Sequence, residues 1–60
     1  MKKIDLSKCN NQEYNFIIHF MIINNIKFLW LASKPNMFKV SECDAYIVKY
    51  TWQGCPIILI

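Results

Sequence analysis

The sequence predicts a small antiparallel β-sheet domain, an all-β meander of four to five strands, on three observations. Asn24-Asn25 alone separates two runs of β-branched and aromatic residues, Phe16 to Ile23 and Ile26 to Ala32. Ala45 to Gln53 alternates in side-chain character, and the only glycine, Gly54, follows Gln53 where a second tight turn is needed. Asparagine and glycine reach positive φ at low cost, so each pair can form a two-residue hairpin turn. The alternative is an α+β domain in which residues 12–24 are helical and pack on a three- to four-stranded antiparallel sheet.

Residues 1–13 are polar and lysine-bearing, with Ile4 and Leu6 as their only large aliphatic side chains. They read as a mobile N-terminal arm or one short helical turn capped by Asp5 or Ser7, ahead of a single small domain over 14–60. In Phe16 to Ile23, the spacing of Gln12, Asn15 and His19 by three and four would mark the polar stripe of a helix. Isoleucine and phenylalanine fit strands better, so the strand reading leads. Pairing about Asn24-Asn25 sets Ile23 against Ile26, Met21 against Phe28, His19 against Trp30 and Ile17 against Ala32. Both faces of that hairpin are largely apolar, which belongs to strands covered on both sides. If a helix forms instead, the same asparagines end it and the second run becomes the first strand.

Lys34-Pro35-Asn36-Met37 reads as a turn, because proline pre-sets φ and asparagine accepts the position after it. A short strand from Phe38 to Ser41 follows, then a bend over Ser41-Glu42-Cys43-Asp44. In the strand from Ala45 to Gln53, Tyr46, Val48, Tyr50 and Trp52 share one face. A hairpin at Gln53-Gly54 pairs Trp52 with Cys55, Tyr50 with Ile57 and Val48 with Leu59. Pro56 then falls opposite Thr51, where its missing N–H is tolerated only at a sheet edge. The last strand, Cys55 to Ile60, carries no charge to block further pairing. Ile57, Ile58, Leu59 and Ile60 are therefore the candidate protein-binding residues, acting by strand addition, unless the N-terminal segment covers that edge.

Composition narrows the function. Apolar residues make up 55% of the 60, above the usual share of about 45–50%, and the surplus must face a partner or a membrane. So short a chain buries only about 60% of its unfolded surface and needs support from elsewhere, most simply a second chain. Seven lysines, no arginine and a net charge of +3 fall short of a dedicated nucleic-acid footprint. Isoleucine, asparagine, lysine, phenylalanine and tyrosine supply half of the chain. Their A/T-rich codons discount any argument from lysine or asparagine abundance.

The expected function is a non-enzymatic, cytoplasmic protein-binding module, an inhibitor or adaptor of phage or mobile-element type, whose partner is another protein or a second copy of itself as a homodimer. Two alternatives stand behind it. A single-stranded nucleic-acid platform would use Lys39, Lys49, Tyr50 and Trp52, although Lys49 lies on the strand face opposite the rings. A membrane-active peptide would use the apolar surplus, but the window Tyr14 to Ala32 contains His19, Asn24, Asn25 and Lys27 and is a poor spanning candidate. Asp5 and Lys8 likewise spoil a signal peptide.

No catalytic or cofactor-binding motif is present, and no cofactor is expected. Cys9, His19, Cys43 and Cys55 have the ligand types for zinc, but none of them lie in the close pairs that structural zinc sites use. The three cysteines are expected to be reduced thiols.

Overall fold

Along the chain the elements run β1 (Lys2–Asp5), α1 (Asn11–Ile23), β2 (Phe28–Leu31), β3 (Lys34–Val40), α2 (Glu42–Thr51) and β4 (Ile58–Leu59). The structure, a computed structural model, describes residues Lys2–Ile60. The four strands form one antiparallel sheet in the order β2-β3-β1-β4. By element and strand order this is the split βαβ, ferredoxin-like arrangement. The domain is thus α+β, and the all-β meander is not formed.

The first apolar run is helical because its ends are capped. Asn10 accepts from the Glu13 N–H at 2.8 Å, and the Glu13 carboxylate accepts from the Asn10 N–H at 2.9 Å, a reciprocal capping box. At the other end Asn24 is the C-cap, its side-chain amide donating to the Phe20 carbonyl at 2.8 Å, and Asn25 takes φ of 55°. The asparagine pair therefore does adopt positive φ, but it closes a helix instead of a hairpin, and the expected cross-strand pairs from Ile23/Ile26 to Ile17/Ala32 are absent. Ile17 and Met21, one helical turn apart, are buried.

The segment from Ala45 to Gln53, expected as a strand, lies mostly in α2. Ser41 is its N-cap, its hydroxyl accepting from the Asp44 N–H at 3.2 Å. Glu42 and Asp44 occupy the first turn and Lys49 the last, matching the helix dipole at both ends. The expected bend at Ser41-Glu42-Cys43-Asp44 is this helix start. A turn does form at Gln53-Gly54, with the Cys55 N–H donating to the Trp52 carbonyl at 2.9 Å, but it leads from α2 towards β4 and makes no hairpin. The expected pairs Trp52/Cys55, Tyr50/Ile57 and Val48/Leu59 are accordingly not strand pairs.

Strand β3 begins at Lys34, so Pro35 and Asn36 lie within it and the β2–β3 turn falls at Ala32-Ser33. Trp30 pairs with Phe38 and Leu31 with Lys34, so residues 35–37 bulge without partners in β2. Pro35 is tolerated there because no ladder bond to β2 needs its N–H.

Strand β1 lies inside the sheet, between β3 and β4. The stretch read as an arm thus supplies an interior strand, with Ile4 opposite Phe38 on one side and Leu59 on the other. Alternation along the strands places Ile4, Leu6, Phe38, Val40 and Ile57 on one face. Both helices cover that face, contributing Ile17, Met21, Ala45 and Val48 to the core. The opposite face carries Lys3, Asp5, Leu29, Met37, Lys39, Ile58 and Ile60, and neither helix packs on it. The total surface, 4108 Å², is close to the roughly 4,100 Å² expected of a folded monomer of this mass.

Candidate functional site

The sheet ends in two edges, β4 and β2. Of the expected edge strand Cys55 to Ile60 only Ile58–Leu59 form β4, with Ile57 outside the strand, and the N-terminal segment covers one side of this edge. Lys3 and Ile60 exchange main-chain hydrogen bonds of 3.1 and 2.9 Å, so by alternation Ile58 also points its main-chain groups at β1, while Leu59 points outward. Ile57 is buried in the core, its N–H donating to the Cys55 carbonyl and its C=O accepting from Lys49 Nζ. The open edge is thereby reduced to the main chain of Leu59. The charge that was missing from this strand's own sequence arrives from α2. Ile58 and Ile60 remain 40% and 58% exposed on the uncovered face.

The other edge, β2, was expected to be the middle of a covered hairpin. Leu6 donates to the Asn36 carbonyl, which fixes the even-numbered residues of β3 as bonded to β1 and the odd-numbered ones as bonded to β2. Leu29, opposite Lys39, therefore bonds inward, and Phe28 and Trp30 turn their N–H and C=O groups to solvent. Leu29 is 63% and Trp30 59% exposed. Trp30 is nonetheless held in place: its ring lies 5.6 Å from both Phe28 and Phe38, and its indole N–H reaches the Tyr14 hydroxyl at 3.5 Å.

A third exposed apolar region is the solvent side of α2. Tyr46 and Tyr50 stack at 6.1 Å, one turn apart, with Ile47 half exposed beside them. Ala45 and Val48 are buried on the other side, so α2 carries apolar side chains on its outer as well as its packed side, with Glu42, Asp44 and Lys49 towards its ends. At its end Trp52 stacks on Phe16 at 6.3 Å and meets Phe20 edge-on at 5.9 Å, bridging the two helices.

The residues of the nucleic-acid reading are not brought into one groove. Lys39 lies on the uncovered sheet face, whereas Lys49, Tyr50 and Trp52 belong to the helical layer on the other side. Within that layer Lys49 is engaged by Ile57 and Trp52 by α1, leaving Tyr50 as the exposed ring.

Among the described residues three ionisable groups are perturbed. The Ser7 N–H, 2.9 Å from Asp5 Oδ1, holds that carboxyl below its ordinary value, with the Ser7 hydroxyl, Lys34 and Lys8 acting in the same direction. Burial pushes the Cys9 and Cys55 thiols up, and the nearby Glu13 carboxylate pushes both further. His19 and Cys43 are exposed on separate helices, and among the described residues no group of three or more His, Cys, Asp or Glu side chains is placed to hold a metal ion. Beside Asp5, an open depression of about 230 Å³ is lined by Ser7, Lys34, Pro35, Asn36 and Met37. That is below the roughly 300–1,000 Å³ of small-molecule sites. Among the described residues no helix is long and apolar enough to cross a membrane.

The surfaces that sequence reasoning missed are the β2 edge at Leu29 and Trp30 and the outer side of α2 at Tyr46 and Ile47. Two local signals could have exposed them. Asn10-x-x-Glu13 and Ser41-x-x-Asp44 are both helix-start patterns, and reading them would have turned Phe16 to Ile23 and Ala45 to Thr51 into helices. No family model, curated protein or solved structure matches the chain.

Proposed function

We propose that the chain is a small non-enzymatic protein-binding module, an inhibitor or adaptor in type, that works in the cytoplasm by docking its exposed apolar surface on another protein chain. The observation that carries this reading is the quantity of large apolar side chains left in solvent: Leu29 and Trp30 at β2, Ile58 and Ile60 on the uncovered sheet face, and Tyr46, Ile47 and Tyr50 on α2. Being about half exposed, each such side chain gains about 1 kcal/mol when covered, roughly half the value for complete burial, so a partner seated on any one of these regions recovers several such gains together. The unpaired thiols of Cys9, Cys43 and Cys55 fit a reducing compartment.

The test is affinity capture from the source cells with the native chain and with Tyr50→Lys and Ile60→Lys variants, followed by reconstitution of any retained protein in purified form. The reading expects a partner that binds the native chain stoichiometrically and is lost by at least one variant whose circular dichroism is unchanged. A native chain that retains nothing above a shuffled-sequence control, or a partner indifferent to every surface substitution, overturns it.

A further inference from the structure

The geometry points to the β2 edge as the seat of a second copy of this chain, forming a twofold dimer in which two four-stranded sheets join at Leu29. The inference rests on the protein-binding reading above and names one partner for it. Its first support is hydrogen-bond arithmetic. Phe28 and Trp30 present their main-chain groups outward and flank Leu29 symmetrically. A twofold axis at Leu29 sets Phe28 of one protomer opposite Trp30 of its partner, and the reverse. Both are then hydrogen-bonded pairs, giving four main-chain bonds around a central non-bonded Leu29 pair.

The side chains match the same register. On the helix-covered face each Trp30 meets the partner's Phe28, a favourable cross-strand aromatic pair, and each Trp30 is already braced by Phe38 and Tyr14. On the uncovered face the half-exposed leucines meet one another. Lys27 falls opposite the partner's Leu31, so the seam contains no lysine pair despite the net charge of +3. Beyond Trp30 the bulge against β3 bounds the ladder.

Area decides whether strand pairing suffices. A stable dimer covers about 800 Å² per partner, about a fifth of this chain's 4108 Å², and three paired residues cannot supply it alone. The remainder falls to the α1 flank that reaches Trp30 through Tyr14. Ile18 and Ile22 follow Tyr14 at i+4 and i+8, on the flank that reaches Trp30, and Ile22 is exposed. Joining the β2 edges at the usual strand spacing brings these flanks side by side. The β4 edge offers only Leu59, with Lys49 already bound at Ile57, and so makes the poorer seam.

Sedimentation equilibrium of the purified chain from micromolar to millimolar concentration tests this. A reversible dimer of twice the 7.2 kDa chain mass is expected. Leu29→Lys, which places two like charges on the axis, should weaken it about 100-fold or more without changing the circular dichroism. Leu29→Cys should form a symmetric disulfide far faster than Ile60→Cys, because only the former faces itself across the axis. A native chain monomeric throughout, or a dimer unaffected by Leu29→Lys and not cross-linked at position 29, overturns the proposal. The two readings fail separately: a partner still captured by monomeric Leu29→Lys sustains the binding-module reading alone, while a dimer that captures nothing sustains the seam alone.

Discussion

Replacing Ile4 by alanine tests the least expected part of the fold, the placement of β1. Ile4 is fully buried and stands in register between Phe38 and Leu59. The substitution deletes three carbons, worth about 2.4 kcal/mol at 0.8 per methylene, before any cavity is counted. With the unfilled space included, the range for such a core truncation is about 2–5 kcal/mol. A chain of this length has a total stability of about 3–9 kcal/mol, so Ile4→Ala removes a large fraction of it. Urea unfolding followed by circular dichroism reads the change, and at about 1 kcal/mol per molar urea the midpoint falls by about 2 M or more. Should the alanine variant be unfolded outright, Ile4→Val gives a graded loss of about 0.5–1.5 kcal/mol. Lys3→Ala, on the uncovered face next door, is the control and should stay within about 0.5 kcal/mol. A mobile arm would make both substitutions equally silent. An Ile4→Ala variant within the error of Lys3→Ala would refute an interior β1 and with it the strand order.

Three further outcomes follow from local chemistry. Asn10→Ala should cost about 1 kcal/mol in urea unfolding by opening the α1 capping box, whereas a strand in its place would leave the midpoint unmoved. The Asp5 carboxyl is held below its ordinary value in the folded state, so the stability it adds is present above its unfolded value, near 3.8, and disappears as pH falls through the folded one. The gap in urea midpoint between the native chain and Asp5→Asn should thus close in acid, and a gap independent of pH would count against the Ser7 contact. With iodoacetamide near neutral pH, exposed Cys43 should react first, while Cys9 and Cys55, whose thiols burial pushes up, lag until the fold opens. Simultaneous labelling would place all three in solvent.

Much of what was legible lay in punctuation rather than periodicity. Asn24-Asn25 marked a chain reversal at positive φ, and the polar spacing of Gln12, Asn15 and His19 correctly described the solvent side of α1, although strand propensity outweighed it. Ile58 and Leu59 of the uncharged run after Pro56 did become an edge strand. In α2, however, Tyr46, Ile47 and Tyr50 are apolar yet face solvent, so hydrophobicity repeats at no single period and a two-residue alternation reads as well as a helical one. The capping residues Ser41 and Asp44 carry the distinction, because they act on backbone groups and are indifferent to which side chains are buried. Strand β1 was illegible for a different reason. Lys3 and Asp5 point to an uncovered face, so an interior strand needs only Ile4 to be apolar, and one residue makes no pattern. The β2 edge was hidden by the same composition that makes it adhesive: Phe28 to Leu31 is apolar on both faces, which ordinarily describes a strand with neighbours on each side.

The pairing of Ile4 with Leu59 also orders events during folding. Strand β1 finds neither neighbour close by in sequence, since its other partner, Phe38, is also separated from it by α1 and β2. Until Leu59 docks, β1 is bonded to β3 alone and its other margin is bare. Loop closure over so wide a separation is intrinsically slow, so the seam between β1 and β4 is the last part of the sheet to be sealed.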